Sequence, residues 1–280
     1  MRYADIQNLD LPAGRRVLVI SDIHSNLPFL RGLLDRAGFC DQDLLILLGD
    51  FTEKRVGGLA TLRYVMELSR QENVFPVCGN CDDLALSFLS PELPPEVFRQ
   101  YFHTWGEKCL VIEMALAAGC TDLEDHDALR GVLKAHYQPE LAFLRALPTI
   151  LLSDRFLFVH GGVPGEEGLD RLEAWRCMKN DNFLSQDRHF HRWCVVGHWP
   201  VTLYRDQIQD AKPIICTQEH IISIDGGCSL ELNGQLNALV IPGDGSEQFS
   251  YLSYDGLPTV TALEAQEPSS SSLNIRWGRS

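Results

Sequence analysis

The sequence predicts an α/β fold built on parallel βαβ units, and three observations carry that prediction. Short apolar runs alternate with stretches of helical apolar spacing from "RRVLVISDIH" to "NVFPVCGN", the rhythm of parallel strands joined by crossover helices. The runs are apolar throughout, as strands buried on both faces are. Each ends in a polar loop carrying Asp, His or Asn, and open α/β sheets bind ligands beyond the carboxyl ends of their strands.

In chain order, "RRVLVISDIH" is a strand leading into a polar loop, and "NLPFLRGLLDRAG" is a helix with a glycine stop. "DLLILLGD" is a second buried strand, "GGLATLRYVMELSRQE" a second helix and "NVFPVCGN" a third strand. From about 90 to 147 the character becomes helical, with a proline suited to a first turn, and this stretch is expected to lie as an insert beside the mouth of the site. "TILLSDRFLFVHGG" predicts a β-hairpin ending in a histidine, and "RWCVVGHWP" repeats that device. The stretch from "PIICTQEHIISIDGG" through "CSLELNGQLNALVIP" reads as antiparallel strands, with Asn233-Gly234 as a hairpin turn. The expected division is a main domain at 1–243 and a C-terminal β-type extension at 244–280, with strand character in "FSYLSYDG" and "LNIRW".

Composition narrows the function. With 280 residues and 45% hydrophobic content the chain can bury one large core. A formal charge of -14 repels polyanions, which argues against long nucleic acid as a partner. The N-terminal stretch lacks an apolar signal core, and no run approaches the roughly 18 apolar residues of a membrane span, so a cytoplasmic protein without a membrane partner is expected. Nine cysteines at irregular intervals suit buried thiols in a reducing compartment. Cys78 and Cys81 have the spacing of a redox pair, but that motif usually opens a helix early in a small βαβ domain, so "GNCDD" is read instead as a loop whose working residue is Asn80.

The strand-end loops carry the chemistry. Asp22-x-His24, Gly49-Asp50, Gly79-Asn80, His160-Gly161-Gly162 and Gly197-His198 end five separate strands. Two carboxylates, three imidazoles and an amide oxygen suit a pair of transition metals about 3.5–4 Å apart, one carboxylate being shared. Taken singly, Asp22 or Asp50 would read as a helix cap and His160 or His198 as a hydrogen-bonded core histidine. Capping does not explain five strand ends with metal-compatible residues. The histidines at 103, 126, 136, 189, 191 and 220 fall at none of these positions.

These motifs resemble the calcineurin-like metallophosphoesterases, and within them the branch of phosphoprotein phosphatases and bis(5'-nucleosyl)-tetraphosphatases. That branch's D-x-H-G, G-D-x-x-D-R, G-N-H-E, H-A/G-G and G-H-T-P stand here, in order, as "SDIHSN", "GDFTEK", "GNCDD", "VHGGV" and "GHWPV". The likeness runs from about Val17 to Ile241, with gaps in the helical insert. It implies a four-layer αββα sandwich of two mixed β-sheets flanked by helices. It implies that Asp22 and His24 hold one ion, that Asp50 bridges two, and that Asn80, His160 and His198 hold the second, the ions being manganese, iron or zinc. The implied activity is hydrolysis of a phosphate ester or phosphoanhydride by a metal-bound hydroxide. The substrate would be a phosphorylated small molecule, a nucleoside polyphosphate or a phosphoprotein.

Three departures from the pattern matter. Lys54, with Arg55 beside it, stands where the family has a phosphate-binding arginine, and a lysine offers a point charge instead of a bidentate fork. Arg176, in "EAWRCMKNDNF", lies near the family's second such arginine. Cys81 replaces the histidine implied as leaving-group acid, and Glu53 replaces the aspartate that orients it. Asp82, Asp83, Glu53 and burial would raise the thiol pKa, and Asp82 could serve as the acid only if its own pKa were raised. The alternative reading is a non-catalytic protein-binding module that keeps the phosphoesterase fold.

Overall fold

The computed structural model describes residues 2–206, 210–230, 234–255 and, as backbone, the strand at 258–262. The chain begins with β1 (Ile6–Asn8), then β2 (Val17–Ile20), α1 (Leu27–Ala37), β3 (Leu44–Leu48), α2 (Gly58–Leu68) and β4 (Val74–Val77). The predicted βαβ units are present: β2 pairs with β3 and β3 with β4, all parallel. "GNCDD", expected as a loop, is the first turn of α3 (Asn80–Ser87). Asp82 at its third position accepts the Gly79 N–H at 2.9 Å, and carboxylates in a first turn favour the helix dipole. The helical start does not revive the redox reading. Burial pushes both thiols well above their ordinary values, with Asp82 and Asp83 adding to the effect at Cys78 and Asp50 at Cys81, the opposite of what thiolate chemistry needs. All nine cysteines are unpaired.

The helical insert comprises α4 (Pro95–Trp105), α5 (Leu110–Ala117), α6 (His126–His136) and α7 (Gln138–Ala146). The predicted hairpin follows as β5 (Ile150–Leu152) and β6 (Phe156–Val159), antiparallel. After α8 (Ala174–Met178) come β7 (Trp193–Val196), β8 (Ile214–Cys216), β9 (Ile221–Ser223), β10 (Leu236–Ile241), β11 (Ser250–Tyr254) and β12 (Pro258–Ala262). One mixed sheet has the order β12-β11-β10-β2-β3-β4 and the other β1-β5-β6-β7-β9-β8. The single antiparallel run expected around β9 and β10 is therefore divided between the sheets, with β10 antiparallel to β2 and β11. Asn233 and "LNIRW" lie outside the described residues.

Alternating side chains hold the layers together. Val17, Val19, Leu44, Ile46 and Leu48 point to the second sheet and meet Phe156, Phe158, Trp193, Val195 and Ile222. Leu18, Ile20, Leu45 and Leu47 point the other way, into a core shared with α1, α2 and the insert. Leu157, Val159, Cys194 and Val196 pack outward against Cys177 of α8 and Phe183. Each fully buried large side chain contributes roughly 1.5–3 kcal/mol. The result is the expected four-layer αββα sandwich, in which β2, β3, β4, β6 and β7 all release the chain at one edge. Among the described residues no helix is long and apolar enough to cross a membrane.

Candidate metal centre

At that edge the backbone is strained at four of the six predicted ligands. Asp22, His24, Asp50 and His198 have φ of 57°, 46°, 54° and 67°, as do neighbouring Glu53 and Lys54 at 72° and 64°. Non-glycine residues visit this left-handed region at a cost, and clusters of them mark functional sites. Close backbone approach adds to the constraint. A Cβ on Gly79 would lie 2.3 Å from the amide nitrogen and Oδ1 of Asp50, and one on Gly197 would lie 2.4 Å from Asp22 Oδ2.

The polar atoms divide into those that position and those left free. Asp22 Oδ2 accepts the His198 N–H at 2.9 Å and the Ser21 hydroxyl, while buried Asp22 Oδ1 has no hydrogen-bond partner. His160 Nδ1–H donates to the Leu48 carbonyl at 2.7 Å and His24 Nδ1–H to that of Thr52 at 3.2 Å. Both rings therefore keep Nε2 as the lone-pair nitrogen, the arrangement by which proteins orient metal-binding imidazoles. His198 is turned round, its Nε2 lying 2.8 Å from Asp181 Oδ1, which leaves Nδ1 as the nitrogen available to a metal. Asn80 Oδ1 and His160 Nε2 are buried without a hydrogen-bond partner.

Asp50 is common to two clusters. His24, Asp50 and Cys81 present ligand atoms within 4.8 Å of one another, and so do Asp50, His160 and His198. Asp50 Oδ2 lies 3.7 Å from His24 Nε2 and Oδ1 lies 3.3 Å from His160 Nε2. Five carboxylates, Asp22, Asp50, Glu53, Asp82 and Asp225, are each no more than 2% exposed in or around this edge. Burial opposes charge on His160, yet Asp50 and Asp22 push it up to about 10. Burial also opposes the Lys54 ammonium, which Cys81, Asp50, Asp22 and Asp225 hold above the usual lysine value. Such a nest calls for cations, and its free atoms are hard oxygens and imidazole nitrogens, which fit divalent transition metals.

The other predicted residues divide. Lys54 Nζ is 2.9 Å from His24 Nε2, inside the site. Arg55 instead reaches the carbonyls of Cys228 at 3.3 Å and Leu230 at 3.5 Å, bracing the loop after β9. Arg176 is exposed and 3.6 Å from Glu173, three residues earlier; the cation that this segment sends to the site is Lys179, with Nζ 3.4 Å from His198 Nε2 and in contact with Asp181. Cys81 donates its N–H to Asp50 Oδ1 at 2.8 Å. Its thiol is raised by burial and then by Asp50, while the expected contributions of Asp82 and Asp83 are not among the leading causes. Asp82 is pushed up to about 8 by burial and Asp50. Its oxygens accept the N–H groups of Asp50 at 2.7 Å, Phe51 at 3.0 Å and Gly79 at 2.9 Å. That pattern fits a positioning role.

Sequence reasoning passed over Asp225, Lys179 and Asp181. Asp225 had a readable signal, since β9 ends "IDGG" as β3 ends "LGD". Burial and then Asp22 raise its carboxyl well above the ordinary range. Lys179 and Asp181 sit in an irregular loop that carries no periodic pattern.

The sequence matches the calcineurin-like phosphoesterases over residues 15–220, and the chain belongs to that family. A solved structure of a candidate diadenosine tetraphosphatase aligns with TM-score 0.59 at 17% identity, covering 91% of this chain and 98% of that one. A cold-active protein-tyrosine phosphatase of Shewanella sp. gives 0.53 at 15% identity, covering 93% and 83%. A protein serine/threonine phosphatase from Saccharomyces cerevisiae gives 0.53 at 11%, covering 96% and 85%. At these identities the likeness is one of fold. No curated protein matches the sequence significantly.

Proposed function

We propose that this chain is a dinuclear-metal hydrolase of phosphate esters or phosphoanhydrides. The observation that supports it most is the set of buried, unpartnered ligand atoms, Asp22 Oδ1, Asn80 Oδ1 and His160 Nε2, around a carboxylate that faces two imidazole clusters. Asp22 and His24 would hold one ion, Asn80, His160 and His198 the other, and Asp50 both. Bound there, manganese, iron or zinc supplies Lewis acidity toward phosphoryl oxygens and a water nucleophile near neutral pH. Lys54 binds a phosphoryl oxygen from the side of His24, and Lys179 approaches from the side of His198. Asp82 keeps the loops of Asp50 and Asn80 in register, and Asp181 fixes the His198 ring. Nine unpaired thiols support the cytoplasmic location.

The leaving group follows from what is missing. A thiol raised well above its usual value is a poor proton donor near pH 7, and Asp82 has its oxygens committed to backbone N–H groups. Aryl phosphates and phosphoanhydrides, whose leaving groups need little protonation, are therefore the favoured substrates over phosphoserine. The tetraphosphatase named among the structural neighbours accords with that class. The test is metal analysis together with turnover of p-nitrophenyl phosphate, dinucleoside polyphosphates and phosphoserine peptides under manganese, iron and zinc. Bound metal with no phosphoester turned over would favour the binding-module reading, and equal kcat/KM on aryl phosphate and phosphoserine would remove the leaving-group argument.

A further inference from the structure

Glu53 is wholly buried, and its two carboxylate oxygens are held by different elements of the helical insert. Tyr101 of α4 donates its hydroxyl to Oε2 at 3.0 Å, and the Leu110 N–H at the start of α5 donates to Oε1 at 2.9 Å. The insert is also docked by apolar packing. Leu110, Val111, Ile112 and Met114 already sit in the main apolar core with Leu129 and Leu133. A carboxylate placed there without further use would cost stability, because burying charge is expensive even when it is hydrogen-bonded.

Its use lies in the next residue. Glu53 and Lys54 are consecutive and both left-handed, at φ of 72° and 64°, a pairing that two side-chain-bearing residues keep only when their surroundings over-determine it. The restraints here are the two donors from the insert and the Ser25 hydroxyl, which donates to the Glu53 carbonyl at 3.3 Å. From that constrained backbone the Lys54 ammonium reaches the same edge, 2.9 Å from His24 Nε2, and an ion held on that nitrogen would turn the ammonium from the ring toward a bound phosphoryl group. An aspartate in place of Glu53 would be one methylene shorter and would not span to both donors.

We infer that Glu53 and Tyr101 are positioning residues through which the helical insert sets the place of Lys54 against the substrate's phosphoryl group. This rests on Lys54 being a phosphate-binding group, as proposed above. The insert is then part of the substrate site, and its docking governs affinity for the anion.

The experiment is a double-mutant cycle read by calorimetric binding of inorganic phosphate to the metal-loaded protein, with metal content and unfolding midpoint measured for each variant. Tyr101→Phe keeps the ring and removes one hydrogen bond to a carboxylate, and it is expected to weaken phosphate binding by about tenfold. In a Lys54→Ala background the same change is expected to have less than about a twofold effect, because the group being positioned is gone. Glu53→Asp should repeat the result of Tyr101→Phe, and steady-state kinetics should show it mainly in KM. Equal losses from Tyr101→Phe with and without Lys54 would overturn the inference, as would full phosphate affinity in both Tyr101→Phe and Glu53→Asp. Phosphate binding unchanged by Lys54→Ala itself would remove Lys54 from the proposed site, and the inference with it. That outcome is distinct from a cycle that is merely additive.

Discussion

Arg16, Asp43 and Asn73 stand immediately before β2, β3 and β4, while Asp22, Asp50 and Asn80 stand just beyond them, so the same three strands are bounded by polar residues at both ends. At the entry end no side-chain atom of these residues is buried without a partner. Arg16 forks onto Asp43 at 2.9 and 2.6 Å, Asn73 donates to the Asp43 carbonyl at 2.9 Å, and Arg15 donates to the same carbonyl at 2.8 Å. None of these residues is left-handed. At the exit end Asp22 and Asp50 are left-handed, and Asp22 Oδ1 and Asn80 Oδ1 are left over. Full satisfaction at one end makes stability, and its withholding at the other leaves room for a ligand.

The contrast predicts opposite consequences for similar substitutions. Asp50→Asn removes the one charge that faces both clusters while leaving an oxygen to accept the Cys81 N–H, so the fold should persist. Activity should fall by about 10³-fold or more, with loss of both ions. Near-normal turnover, or loss of one ion alone, would take Asp50 out of the bridging place.

Removing metal should separate the two ends within one molecule. If ions bind the folded state at a hundred times their dissociation constant, chelation costs about 2.7 kcal/mol. Hydrogen exchange should then rise at the backbone around Asp22, Asp50 and His198, and stay unchanged at those amides around Arg16, Asp43 and Asn73 that exchange by local opening with the ions still bound. A uniform rise across both ends would mean that the metals stabilise the fold globally, and would break the comparison.

The same contrast explains what the sequence disclosed. Strands buried on both faces announce themselves as apolar runs, and the residues directly after such runs were legible as candidate ligands, because parallel strand direction brings them to one edge. The three residues of β1 and the first turn of α3 carry too little periodic signal, and the second of these hid behind a glycine and two acidic residues that read equally well as a turn. Lys179, Asp181 and the insert's hold on Glu53 depend on tertiary placement of irregular or distant segments. Arg176 matches the family's second phosphate-binding arginine only by its place in the sequence, yet α8 turns it to solvent and Lys179, just after the helix, reaches toward His198.

A smaller effect belongs to the entry end. Asp43→Ala leaves the partly exposed Arg16 without its partner and breaks the Cys40 N–H contact, at 3.2 Å, to Asp43 Oδ2. With Arg16 partly exposed to solvent, the loss should be about 1–3 kcal/mol. kcat/KM should be unchanged, since the Asp43 carboxylate holds none of the loops beyond the strands. A large fall in activity with the fold intact would show the two ends to be coupled through the sheet.

The smallest effect is the pH dependence of that pair. Burial works to raise the Asp43 carboxyl, but Arg16 and the Cys40 N–H outweigh it, and the group titrates below its ordinary value. A carboxyl depressed in the folded state contributes stability above the unfolded value of about 3.9 and loses it as pH falls through the lower folded value. The wild type should therefore lose this contribution only below about pH 4, and the gap between wild type and Asp43→Ala should be constant from pH 7 to pH 5 and narrow beneath that. Urea unfolding of the two proteins at matched pH and salt measures it. A gap that narrowed between pH 7 and pH 5 would mean that a group with a higher pKa controls the pair. A gap that persisted undiminished at pH 2 would mean that the side chain acts there by packing and not by charge.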